Sequence, residues 1–185
     1  LVGCGEWGFR EMPMEQHFEI CKDFGFHWME FGIGGGQLGR LPEQPSKEDI
    51  DAFCALGEKY QIKTPFCCIE NDFTLADEQQ HQEMLEKVLS QIKAGAACGA
   101  SHVRLFAGFT PLEQMTEVSW GRMLQAFARC DALCQELGLL IAIETHGAIK
   151  FDSTGAAIHS HTASTQREAL SKLMAGLPER IGFNY

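Results

Sequence analysis

The chain has 185 residues, of which 45% are hydrophobic and 22% charged, enough for one domain with a sizeable core. Its 15 basic residues against 25 acidic ones give a formal charge of −10, which argues against a nucleic-acid partner, since a phosphate backbone demands concentrated Lys and Arg. No apolar run reaches transmembrane length and no signal peptide is visible, which points to a cytoplasmic protein with no membrane partner, although the opening on Leu1 in place of Met suggests a missing or removed N-terminal piece.

In chain order, the first apolar, β-prone stretch is 1–4, and the segment 13–24 follows with helical spacing of Phe18, Cys21 and Phe24. A second strand is expected over 27–32. The helix expected over 46–60 carries Ile50, Phe53 and Cys54 inward, with Ser46 as N-cap ahead of an acidic first turn of Glu48 and Asp49. After a third strand at 62–69, the segment 77–98 places Leu85, Val88, Leu89, Ile92 and Ala96 on one stripe and Glu83, Glu86, Lys87 and Lys93 opposite. A fourth strand at 102–107 precedes the helix 119–137, whose apolar stripe is Trp120, Met123, Leu124, Phe127, Cys134 and Leu137. The fifth strand is 139–145. A polar loop with His159 and His161 leads to a fifth helix, and 181–185 reads as a sixth strand. Gly25, Gly99 and Gly138 each follow a helical stretch and precede a strand, where glycine accepts the left-handed conformation that ends a helix. Strand-to-strand intervals of roughly 25–40 residues fit parallel strands joined by crossover helices. The expectation is a single α/β domain over 1–185.

The eight cysteines form no C-x-x-C pair and mostly replace apolar residues of helices or strands, so they read as reduced, structural thiols, with Cys67–Cys68 the only pair to watch. The run Gly32-Ile33-Gly34-Gly35-Gly36 lacks the G-x-G-x-x-G order at a helix start and reads as a flexible loop at a barrel mouth.

Polar residues gather at the carboxyl ends of the strands: Glu30 on the second, Glu70 and Asn71 after the third, Arg104 in the fourth, and Glu144 with His146 on the fifth. Alternation puts Leu140, Ala142, Glu144 and His146 on one face. Glu144 follows four apolar residues on a strand expected to be buried on both faces, where an ionised carboxylate needs a cation or donors, so it is the candidate metal ligand and catalytic group. Arg104 reads as an anion- or hydroxyl-binding group or as partner to a carboxylate. His146 reads as a substrate contact or as the neighbour of a ligand, Glu30 as a mouth residue or loop cap, and Glu70 as a solvated strand-end charge. His159 and His161, two residues apart in a loop, do not make a metal site alone.

These segments, taken with their order, resemble the xylose-isomerase-like TIM-barrel superfamily, in particular its sugar phosphate isomerase/epimerase branch. The resemblance rests on Gly25 to Gly32, Asn71-Asp72-Phe73, Val103 to Gly108, Ile141 to Gly147 and Ile181 to Tyr185. It implies a (β/α)8 barrel, here incomplete, with about five βα units plus a sixth strand. It further implies a metal-dependent isomerase or epimerase of a sugar or sugar phosphate, moving a proton next to a carbonyl, with Mn, Mg, Co or Zn in the intact protein. Glu144 maps onto the first metal ligand and onto one of two catalytic glutamates. Arg104, His146, Glu30 and Asn71 fall at substrate-binding positions. The remaining ligands of such a site come from later strands, so the chain is expected to hold metal weakly or not at all, and self-association or a missing C-terminal part is expected to cover the open barrel. Other readings on the same scaffold are a polyol dehydratase, a metal-dependent DNA-repair endonuclease, which the net charge disfavours, and a non-catalytic fragment acting as a binding or assembly module.

Overall fold

The computed structural model describes residues 2–184; Leu1, which opens the first expected strand, and Tyr185, which closes the sixth, lie outside the described residues. The helices are α1 (Met14–Asp23), α2 (Lys47–Tyr60), α3 (Glu78–Ala97), α4 (Glu117–Leu137) and α5 (Arg167–Gly176). The strands are β1 (Trp28–Ile33), β2 (Lys63–Ile69), β3 (His102–Phe106), β4 (Leu140–Glu144), β5 (Ala148–Phe151), β6 (Ala157–Ser160) and β7 (Gly182–Asn184). β1, β2, β3, β4 and β7 form one parallel sheet in that order, the arrangement of consecutive βα units curving round a barrel axis. The expected first strand contributes a parallel bridge at Cys4, whose N–H donates to the Trp28 carbonyl (3.0 Å) while its carbonyl accepts from Glu30 N–H (2.9 Å).

Local chemistry explains the boundaries. Ser46 caps α2 and Asp49 returns the bond to the Ser46 backbone, and Thr116 and Ser119 do the same for α4. Asp77 caps α3. Gly25, Gly99 and Gly138 all carry positive φ at the helix exits, whereas α2 ends on Gln61 at φ 57°, a left-handed exit without a glycine to announce it.

Strand alternation then sorts the side chains. Met29, Phe31, Cys67, Ile69, Val103, Leu105, Ile141 and Ile143 point outward and are almost fully buried, with Val88 and Ile92 of α3 and Met123, Phe127 and Cys130 of α4 in the same core. Burial of side chains this size contributes about 1.5–3 kcal/mol each, so this layer holds the helices to the sheet. The inward row differs from expectation. Leu140 is 41% and Phe66 46% exposed, so β4 is buried on its helix face and open on the other. All eight cysteines are free thiols.

One further departure concerns the segment after β4. In place of a polar loop there is an antiparallel hairpin, β5 with β6, pairing Ile149 with His159 and Lys150 with Ile158. Its four-residue strands carry Ile149 and Ile158 beside lysine and histidine, a mixture whose alternation the polar composition of the segment masked. No helix among the described residues is long and apolar enough to cross a membrane.

Candidate active site

The register sets the site. Cys68 stands beside Arg104, Arg104 beside Ala142 and Ala142 beside Gly182, while Phe106, Glu144 and Asn184 form the next layer toward the carboxyl ends. Arg104 is the long side chain of the lower layer, beside the small Ala142. Its Nε–H donates to Cys68 Sγ (3.1 Å), its guanidinium pairs with Glu144 and with Glu30 (3.4 Å), and Glu6 lies 3.9 Å away. Burial works against the charge, but the surrounding anionic groups outweigh it and hold Arg104 firmly protonated.

A second arginine completes the network. Arg40, from the glycine-rich loop after β1, donates to Glu6 (3.1 Å) and to Glu70 (3.0 Å) with its side chain wholly buried. Two guanidiniums thus face four carboxylates: Glu6, Glu30, Glu70 and Glu144. With every group ionised the cluster carries an excess of two negative charges. Glu6 Oε2 and Arg40 Nε are buried and make no hydrogen bond. Burial, opposed by Arg40, pushes the Glu6 carboxyl above its ordinary value. Such a cluster is chemically suited to hydroxyl donors or a cation.

Glu70 is therefore no free strand-end charge: Arg40 crosses 30 positions of sequence to reach it. The cause is Gly32. A Cβ there would sit 2.6 Å from Arg40 Cζ and closer still to Nε, so a side chain and the buried guanidinium cannot share the space. Gly32→Ala is expected to expel Arg40 and to cost about 3 kcal/mol, the scale of a broken buried ion pair. In an Arg40→Met background the same change should cost almost nothing; equal costs in both backgrounds, measured by urea unfolding, would remove Gly32 from this role.

Above the arginines lies a cavity of about 570 Å³ bordered by Glu30, Glu70, Arg104, Glu144 and His146, with Trp7, Phe106 and Phe109 as apolar walls. A second cavity of about 360 Å³ lies beneath, reached past Glu30, Arg104 and Asn184. His146 sits edge-on to Phe106 and Phe109 at 5.5 and 5.4 Å. Its Nδ1 lies 2.6 Å from the Gly147 carbonyl, and since a carbonyl only accepts, Nδ1 carries the hydrogen and donates it. Glu30, besides pairing with Arg104, accepts from Glu6 N–H (3.3 Å).

Asn71 is differently placed. Its amide nitrogen donates to the Phe106 carbonyl and its oxygen accepts from Phe106 N–H, both at 2.8 Å, and it is buried. Both polar ends are engaged in pinning β3 to the end of β2. Glu144, Arg104, Glu30 and His146 therefore meet at one cavity and Asn71 braces it from behind. Sequence reasoning missed Glu6 and Arg40. Glu6 follows the Cys4 bridge by two residues and obeys the same strand-end logic; Arg40 lies in a loop with no periodic signal.

As to a metal, Glu144 offers one carboxylate at the mouth, already in contact with Arg104. Among the described residues, no three carboxylate, imidazole or thiol groups converge there closely enough to hold an ion. The donors of this segment do not make a complete metal site at the barrel mouth.

No curated protein matches the chain. Several solved structures share its fold. The structure of an L-ribulose 3-epimerase aligns with TM-score 0.73 at 14% identity, covering 98% of this chain and 59% of the other. A 3-keto-D-glucoside 4-epimerase from E. coli aligns with TM-score 0.70 at 9% identity, covering 98% and 66%. The IolI protein, solved with a zinc atom, aligns with TM-score 0.70 at 12% identity, covering 98% and 60%. The chain thus spans about three fifths to two thirds of the length of these structures, and at these identities the likeness is one of fold. The parallel sheet, the strand-end cluster and a family match over residues 18–183 agree: the chain belongs to the xylose isomerase-like TIM barrel family.

Proposed function

We propose that the chain provides the proton-transfer half of an isomerase or epimerase acting on a sugar or sugar phosphate. The observation that carries this is the Arg104–Glu144 contact at the floor of a cavity with aromatic walls. The apolar faces of a sugar ring pack on aromatic rings such as Trp7, Phe106 and Phe109, while its hydroxyls donate to an anionic cluster rich in acceptors. Arg104 pins Glu144 Oε2, which orients the carboxylate as a base toward the cavity. Glu144 removes a proton from the carbon next to a carbonyl; the electron pair of that C–H bond becomes the C=C bond of an enediolate as the carbonyl π pair moves onto oxygen. Delivery of a proton, exchangeable with solvent while it resides on Glu144, to the neighbouring carbon completes an isomerisation as the hydroxyl proton passes to the former carbonyl oxygen; inversion at one carbon requires a second acid on the opposite face.

The divalent metal implied by the family would polarise the substrate carbonyl. Glu144 is the residue of this chain that would hold it, and the other ligands would come from outside the described residues. The incomplete ligand set also supports a second reading, in which the segment binds a polyol without turning it over.

Incubation with a panel of ketoses and ketose phosphates in D2O, with and without added Mn2+, separates the two. The enzyme reading expects deuterium at the carbon next to the carbonyl, detected by NMR. Ligand-induced line broadening or a shift in melting midpoint with no deuterium incorporated would favour the binding module.

A further inference from the structure

Away from the barrel mouth, three soft or borderline ligands meet behind the first strand. Cys4 is bridged to Met29 and so shares the outward face of the sheet, against α1. His17 and Cys21 stand four residues apart on α1 and therefore on one face of that helix. All three are buried, with relative exposures of 8%, 2% and 0%. The ligand atoms lie within 4.8 Å of one another, and His17 Nε2 is 3.4 Å from Cys4 Sγ.

We infer that Cys4, His17 and Cys21 form a zinc site, separate from the sugar cavity, that ties the first strand to α1.

The spacing fits. Around a tetrahedral zinc with Zn–S of about 2.3 Å and Zn–N of about 2.0 Å, neighbouring ligand atoms lie about 3.5–3.8 Å apart. The observed cluster therefore needs a contraction of no more than about an ångström, within reach of side-chain rotation. The charges fit as well. Zinc with two thiolates and a neutral imidazole sums to zero, the state that a buried site tolerates, whereas a monovalent soft cation would leave a net negative charge. Burial pushes His17 down to about 4, so its ring is neutral and available at neutral pH. Burial likewise pushes the Cys4 and Cys21 thiols up, the latter to about 12. They stay protonated without a cation, and binding displaces two thiol protons. Phe9 stacks flat on His17, centroids 4.5 Å apart and planes at 9°, which fixes the ring.

Cobalt substitution reads this site directly, because only thiolate ligation gives a sulfur-to-cobalt charge-transfer band in the near ultraviolet. The full chain titrated with Co2+ under reducing conditions should develop that band together with the visible bands of tetrahedral cobalt, saturating at one ion per chain, and Zn2+ should bleach both. Cys21→Ser and His17→Ala should remove or weaken the charge-transfer band at least tenfold. Cys54→Ser, at the outer surface of α2, and Glu144→Gln, at the barrel mouth, should leave it intact. The wild-type titration decides the matter even where a variant fails to fold. Visible bands without charge transfer would assign the cobalt to carboxylates and overturn the site. So would an absence of all bands with both thiols still alkylated at their metal-free rate in the presence of Zn2+, which is the outcome for a hydrogen-bonded thiol–imidazole core.

Discussion

Glu144→Gln is expected to lower the rate of solvent-deuterium exchange into a ketose substrate by about 10²–10⁴-fold, the range set by loss of a positioned general base. At about 1.4 kcal/mol per decade, that corresponds to about 3–5.5 kcal/mol of transition-state stabilisation. Folding should hardly notice. The Glu144 side chain is about a third exposed, glutamine keeps its shape, and its amide oxygen can still accept from Arg104. The change in unfolding free energy should therefore stay within about 1 kcal/mol, the range of an exposed or half-exposed ion pair. The loss should fall on kcat with KM little altered, since a base contributes to the transition state more than to ground-state binding. Exchange that survives the substitution within a few-fold would move the base elsewhere in the cluster, with Glu30 and Glu70 the next carboxylates on the same cavity.

How much of this was legible beforehand depended on the kind of signal each residue carries. Helices α3 and α4 announce themselves by long apolar stripes, and the outward rows of β3 and β4 by alternation, because burial against a partner layer leaves a periodic trace. Glu144 was legible for the same reason: a carboxylate after Leu140-Ile141-Ala142-Ile143 breaks an apolar strand and demands an explanation. Arg40 leaves no such trace. It is held in a loop by carboxylates 34 and 30 positions away, and what makes room for it is a missing side chain at Gly32. Glu6 is hidden because the strand preceding it is reduced to a bridge at Cys4. Asn71 shows the opposite case. Its place after β2 suggests a site residue, but its side-chain amide makes two long-range bonds to the Phe106 backbone that no local pattern encodes.

Arg104→Met is expected to be the most damaging single change to stability. Methionine fills similar volume, so the effect isolates the charge. The guanidinium is the shared counter-charge for Glu144 and Glu30 and lies near Glu6, with a side chain only 10% exposed. Its removal leaves carboxylates facing one another across the interior of the barrel with only Arg40 to offset them. Breaking a buried pair in this way costs about 3–5 kcal/mol. For a domain of this size that translates to a fall in melting midpoint of about 10 °C. Arg104→Lys should recover only part of it, since one ammonium cannot span Glu144, Glu30 and Cys68 together. The deficit should also depend on pH, through Glu6. Burial raises that carboxyl and Arg104 is among the groups that hold it down, so the variant raises it further. A carboxyl raised in the folded state keeps its proton where the unfolded chain has lost it. Stability therefore falls as pH climbs from the usual carboxylate range toward neutrality. The gap between variant and native chain should be wider at neutral than at mildly acidic pH, measured by thermal unfolding across that interval. A gap that is constant with pH would detach Glu6 from Arg104; a midpoint that does not move at all would mean that the four carboxylates are neutralised by something other than the two arginines.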